Sequence, residues 1–282
     1  MNKIKIFTDS TSDLSKGLVE ENNISIVPLY VVFKEHMYKD GVDLTQKELY
    51  EKIRELDMIP KTAAPSPQDF VNAFKPYVDE GYDILFIGLS SKISATIQNA
   101  NIAKNEFPDA NIEIIDSLNL SSGIGLLVMK ACDFRDEGMN LEEISNNIRQ
   151  LVPKVRTAFV IDTLEYLHLG GRLSTMQSLL GTVLKIRPVI KMVDGELTVA
   201  QKGRGKMEKV VDLMLKKPLE NATNIDTKRL FITHSQGDKF TNYLKEELDN
   251  NTKVENIHIT NAGCVISSHC GPGTVGILYI EK

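Results

Sequence analysis

The chain contains no tryptophan, and aromatic residues of all kinds make up only 6% of it. Its interior must therefore rest mainly on Ile, Leu, Val and Met. Cysteine is scarce as well. Cys132, Cys264 and Cys270 form neither an even framework nor a C-x-x-C pair, which argues against a disulfide scaffold and for a reduced, cytoplasmic setting. No apolar run approaches the roughly 18 residues of a membrane span, so stable membrane insertion is not expected. The opening MNKIKIFTDS reaches Asp9 before a signal-peptide apolar stretch could form. Positive charge is not in excess: 33 Lys and Arg stand against 38 Asp and Glu, for a net charge of −5. That balance disfavours nucleic acid or an anionic membrane as partner. Phosphate-binding glycine loops are also missing. SSGIG (121–125) and GPGTVG (271–276) fit neither G-x-x-x-x-G-K-[ST] nor G-x-G-x-x-G. A stand-alone ATP- or NAD-dependent enzyme is disfavoured, and no cofactor is expected.

What is present is an ordinary globular composition, 42% hydrophobic and 25% charged over 282 residues, long enough for two medium domains. KIKIF (3–7), the β-branched ISIVPLYVVF (24–33), YDILFIGLS (82–90) and NIEIID (111–116) read as strands. Helical spacing of Leu49, Ile53 and Leu56, with Thr45 and Glu48 as a capping box, predicts a helix over 45–56. TAAPSPQDF (62–70) reads as a loop opening the next helix, and further helices are expected at 94–107, 121–137 and 140–151. Strand–helix alternation at this spacing predicts a parallel sheet covered by helices. The second half reads differently. A strand at 156–162 precedes a hairpin over 187–205 turning at Asp194-Gly195. Helices at 206–217 and 239–249 and strands at 229–233, 254–259 and 274–280 complete it. The expected class is α/β with two domains. Residues 1–155 form a Rossmann-like α/β/α unit, and 156–282 form an α+β unit with a mainly antiparallel sheet. Residues 57–80 could cross over to the second domain.

Ligands of open α/β sheets bind beyond the carboxyl ends of the strands. Three hydroxyl-rich loops lie there: Thr8 to Ser12, Thr62 to Ser66, and Ser90 to Ser94. Ser94 stands where its hydroxyl and the first free helix N–H groups can meet one anion, or where it simply caps the helix. Asp9 has the chemistry of a metal ligand or base, but no second carboxylate stands at ligand spacing, which favours bonding to its own turn. Arg172, after two glycines, could hold a carboxylate or phosphate or pair with a structural Asp. His168, in an apolar stretch, reads as structural. Lys202, Arg204 and Lys206 form a glycine-spaced basic run, either a solvated tip or a protein-contact patch.

GCVISSHCGPGTVG (263–276) combines Cys264, His269 and Cys270. Zinc needs about four N or S ligands, and adjacent residues of a strand point to opposite sides. A thiol nucleophile needs a neighbouring imidazole in better geometry than sequence adjacency gives. What remains is His269 as a hydrogen-bonding group in a loop shaped by Gly271, Pro272 and Gly273.

FTDSTSDL, APS after Thr62, SSKISATIQNA, TLEYLHLGGRLS, KIRPVI, KGRGK and SHCGPGTVG together resemble, in order and spacing, the motifs of the DegV family from Thr8 to Gly276. The resemblance implies two α/β domains around a buried acyl tunnel that holds a long-chain fatty acid. It also implies a separate ATP-binding kinase subunit that phosphorylates the bound acid to an acyl phosphate, so that this chain is a lipid-binding subunit and not itself an enzyme. Carboxylate-binding groups map onto Thr62, Ser94 and the N–H of Ala95, a supporting network onto Arg172 and His269, and kinase contact onto Arg204. Ala63-Ala64, Ala95, Ser267 and Cys270 depart from residues often seen in the family. The alternative from another class is a small-molecule hydrolase or transferase using Ser94 and His269.

Overall fold

The computed structural model describes residues 3–172 and 186–282. Leu173 and Ser174 of the LHLGGRLS motif and Lys185 of KIRPVI lie outside the described residues.

A four-stranded parallel sheet is built from β1 (Ile4–Asp9), β2 (Ser25–Val27), β6 (Asp83–Gly88) and β7 (Ile112–Asp116), in the order β2-β1-β6-β7. Near-continuous burial of β1 and β6 reflects helices on both faces. On one face, α3 (Pro67–Asp79) and α4 (Thr96–Lys104) pack over Phe7 and Phe86. Phe70 and Phe74 of α3 meet these rings edge-on at 5.1 and 5.0 Å. Four buried phenylalanines thus share this layer, while the other two core clusters are mainly aliphatic with Phe33, Phe159, Phe231, Phe240 and Tyr279 among them.

The other face is covered by α5 (Ser122–Asp136) and α6 (Leu141–Leu151). α5 is buried along most of its length because a second sheet lies on its far side. The glycines of SSGIG permit that approach: a Cβ on Gly123 would stand 2.2 Å from Asn119 Oδ1 and 2.7 Å from Thr157 Oγ1. The second sheet runs β10-β9-β8-β13-β11-β12, with strands β8 (Val155–Val160), β9 (Ile186–Val193), β10 (Glu196–Arg204), β11 (Leu230–Ser235), β12 (Ile257–Asn261) and β13 (Thr274–Ile280). All neighbours are antiparallel except β11 and β12. Its outer face carries α8 (Met207–Glu220) and α9 (Thr241–Asn251). The β9–β10 hairpin turns at Asp194-Gly195, both at positive φ, as that dipeptide favours.

Several local readings are corrected. Residues 24–33 are two strands in different sheets, because Pro28 has no N–H to continue a ladder. β2 joins the parallel sheet. β3 (Tyr30–Phe33) forms a small antiparallel sheet with β4 (His36–Lys39) and β5 (Lys61–Ala63), in the order β4-β3-β5. The start of the expected 62–70 loop is therefore strand, with Thr62 paired to Val31. The stretch 57–80 divides. β5 lies beside α10 (Cys264–Cys270), as does α2 (Gln46–Leu56), and α3 packs on the parallel sheet. The expected loop around His269 is itself that helix α10, ended by Gly271 at φ 74. His168, expected in an apolar loop as a structural residue, sits exposed on the helix α7 (Glu165–Leu169).

Candidate functional site

A cavity lined mainly by apolar side chains lies between the two large sheets. Leu89, Leu120, Phe159, Leu197, Val265 and Leu278 contribute to its apolar wall. Most hydroxyl side chains along that wall are already satisfied by the protein, whereas the buried Nδ1 of His234, which also lines it, has no partner. Thr157 donates to Asn119 (2.6 Å), Thr274 to the carbonyl of Cys270 (2.9 Å) and Ser121 to Asp13 (2.5 Å). Ser235 bonds Tyr50 (2.5 Å) and Ser267 (2.9 Å). A ligand passing these groups need not supply hydrogen bonds.

One end differs. Thr62 from β5, Ser94 from the loop before α4, Arg172 after α7 and His269 from α10 all line the cavity. His269 Nε2 and Thr62 Oγ1 are 2.8 Å apart. Arg172 donates from Nε and Nη2 to the Ile93 carbonyl (both 3.3 Å) and from Nη1 to the Gly170 carbonyl (2.8 Å), which fastens it to the residue before Ser94. Ser94 Oγ lies 2.9 Å from Thr96 Oγ1 and accepts from the Thr96 N–H at 3.3 Å, so it serves the first turn of α4 while facing the cavity. Ala95 is the N-cap residue of α4 and exposed.

Burial, reinforced by the nearby Arg172 cation, lowers the pKa of His269 from 6.5 to about 3. The ring is therefore neutral at physiological pH. Its Nδ1 is sealed from water and has no partner. An orphan acceptor is less costly than an orphan N–H, which favours the tautomer with the proton on Nε2. In that tautomer His269 donates to Thr62, and the Thr62 O–H is free to donate into the cavity. Burial also lowers the pKa of the Arg172 guanidinium from its ordinary value.

The remaining candidates fall outside this cluster. Asp9 accepts from the Thr11 N–H of its own turn (2.9 Å), as its sequence context suggested, and also from the Leu89 N–H just past β6 (2.7 Å), a contact across 80 residues that spacing did not indicate. Cys264 donates to the Leu44 carbonyl (3.1 Å), and burial pushes the Cys270 thiol up to about 12, far from a populated thiolate. Ser94 bonds Thr96 while His269 bonds Thr62, so the two do not form a nucleophile–base pair. Arg204, at the end of β10, lines a separate surface cleft with Arg187, Lys206, Lys239, Asp162, Glu208 and Gly273, four cations against two carboxylates. Gly273 lies just past the end of α10, so this basic cleft borders the helix that carries His269. Sequence reasoning offered Asp13 only as a possible cap of the short helix after it and did not connect Asp13 or Asp40 with α10, whose other end they bond.

Comparison with known proteins agrees over the whole chain. The family model described as "Uncharacterised protein, DegV family" matches residues 3–282. A DegV domain-containing protein of Clostridium acetobutylicum is 36% identical over 100% of both chains. A DegV family protein from Thermus thermophilus, whose structure is described as fatty acid binding, superposes with a TM-score of 0.92 at 32% identity, covering 99% of this chain and 100% of its own. A stearic acid-binding protein from Eubacterium ventriosum superposes with a TM-score of 0.87 at 29% identity, covering 100% and 99%. On the family match and the full-length identity, the chain belongs to the DegV family.

Proposed function

We propose that this chain binds a long-chain fatty acid in the cavity between its sheets and, in the cytoplasm, presents the carboxylate to a separate kinase subunit. The observation that carries the reading is the cavity's asymmetry: a largely apolar wall on which most hydroxyls bond within the protein, and one end where Thr62, Ser94, Arg172 and His269 converge. That is the chemistry of a molecule with one anionic end and a long apolar tail. Fatty acid binding by the Thermus thermophilus and Eubacterium ventriosum relatives supports the same reading.

Each buried methylene contributes about 0.8 kcal/mol, so ten contribute about 8 kcal/mol before binding costs. The head group then has only to be satisfied, because a buried unpaired carboxylate is strongly unfavourable. Thr62, oriented by His269, and Ser94 donate hydroxyl protons to the carboxylate oxygens. The N–H of Ala95 is a further donor at the start of α4, and Arg172 offsets the charge. In the partner's reaction a carboxylate oxygen attacks the terminal phosphorus of ATP held by the kinase subunit. ADP leaves, and the acyl phosphate remains in this chain. The basic cleft around Arg204, beside the end of α10, is the surface proposed for that partner.

Titrating the delipidated chain with palmitic acid and with cetyl alcohol tests the binding step. The acid is expected to bind at least tenfold more tightly. Equal affinity, or no binding of either, would overturn the assignment of the polar end.

A further inference from the structure

We propose that Asp13 and Asp40 are positioning residues that set His269 through α10, an inference that rests on the fatty-acid reading of the cavity. α10 is only seven residues long and has no N-capping side chain of its own, since Gly263 occupies that position. A helix this short is not stable in isolation. Its first N–H groups are instead taken by two buried carboxylates from the N-terminal part of the chain. Gly263 N–H donates to Asp13 at 2.7 Å, Cys264 N–H to Asp40 at 2.7 Å, and Val265 N–H to Asp40 at 3.4 Å. Among the described residues, no ion pair offsets either carboxylate. Burial raises the pKa of Asp40 and raises that of Asp13 well above its ordinary value, so two desolvated acids are a costly way to cap one short helix. A neutral Ser or Asn at position 263 would cap it locally. The arrangement makes the placement of α10 depend on residues that are distant in sequence.

Those residues also touch the cavity wall. The second oxygen of Asp13 accepts from Ser121, which lines the cavity. Ser121 is held at φ 54, ψ −148, a backbone conformation that side chains disfavour. Strain of this kind costs on the order of 1–3 kcal/mol and persists only where its surroundings enforce it. Ser121 precedes α5 without capping it, and its hydroxyl goes to Asp13 instead. A continuous path therefore runs from the cavity wall at Ser121, through Asp13, into the N-terminus of α10. It ends at His269, about 9 Å further along the helix at 1.5 Å per residue. Asp40, anchored in the turn before Leu44, fixes the same helix end from a second direction.

The test is a double-mutant cycle read as preference for palmitic acid over cetyl alcohol, which share a tail and differ at the head. Asp13→Ala is expected to reduce that preference about tenfold, with Asp13→Asn, which keeps an acceptor for Gly263, reducing it less. In a His269→Ala background, Asp13→Ala should cause no further reduction, because the effect passes through His269. The ¹⁵N resonances of the His269 ring should shift in Asp13→Asn, a variant mild enough to fold. If acid and alcohol affinities fall by the same factor, or the His269→Ala background leaves the Asp13 effect intact, Asp13 is merely structural and the inference fails. If the wild-type chain shows no acid preference, the fatty-acid reading itself fails and takes this inference with it.

Discussion

Gly170→Ala isolates the geometry of the polar end. Gly170 ends α7 at φ −73, ψ −6, a conformation alanine adopts without strain, so the backbone gives no reason for glycine. The reason is steric. A Cβ at this position would stand 2.2 Å from His269 Nδ1, 2.7 Å from its Cε1 and 3.0 Å from the Tyr166 carbonyl oxygen, where ordinary contact begins at 3.4 Å. The imidazole must retreat by roughly an ångström, and its bond to Thr62 at 2.8 Å cannot survive that movement in good geometry. Losing one hydrogen bond in a buried polar site costs about 1–3 kcal/mol, or roughly 5- to 150-fold in Kd. Because the wall of the cavity is untouched, the loss should fall on palmitic acid and spare cetyl alcohol. Calorimetric titration of both ligands measures it, with thermal melting to confirm an intact fold. Unchanged affinity for the acid in a folded Gly170→Ala chain would refute the role given to the His269–Thr62 pair.

Further outcomes follow from the same arrangement. Ser94→Ala should lower acyl phosphate formation about tenfold in an assay coupled to the kinase subunit, and unchanged turnover would remove Ser94 from the head-group contacts. Arg204→Ala should impair that coupled reaction while leaving palmitic acid affinity unchanged, and a loss of lipid binding would reassign Arg204. The pH dependence of stability should carry the mark of His269. Its pKa is about 3 in the folded chain and 6.5 ordinarily, so the unfolded chain takes up a proton first and stability is lost as pH falls below 6.5. Between pH 7 and 5 this amounts to about 2 kcal/mol at 1.36 kcal/mol per pKa unit. Asp9, raised by burial to about 6, works in the opposite direction, so the comparison that isolates the histidine is wild type against His269→Asn. Urea unfolding should show the wild type losing more stability than the variant over this range, and parallel curves would contradict a buried neutral imidazole.

Much of the architecture was legible because the signals are local. Strand–helix alternation identified the parallel sheet, Asp194-Gly195 the hairpin turn, and Thr45 with Glu48 the capping box that α2 contains. The small third sheet was missed because its strands are only three or four residues long, too short for period-two alternation to stand out. α10 was missed for a different reason. Its N-terminal partners, Asp13 and Asp40, lie 250 and 224 residues away, so no local capping motif marks its start. The same separation hid the contact of both aspartates with α10. At the polar end, the glycine pair before Arg172 and the hydroxyl-rich loops drew attention to the right segments. Neither the 2.8 Å contact across 207 residues from Thr62 to His269 nor the bond from Arg172 to the Ile93 carbonyl follows from spacing alone.

The central claim is occupancy of the cavity by a fatty acid. Native mass spectrometry of the chain purified without added lipid tests it most directly. A mass increment equal to that of a long-chain fatty acid is expected, released on denaturation and identified by lipid extraction. A ligand-free spectrum that stays unchanged after incubation with palmitic acid would contradict it.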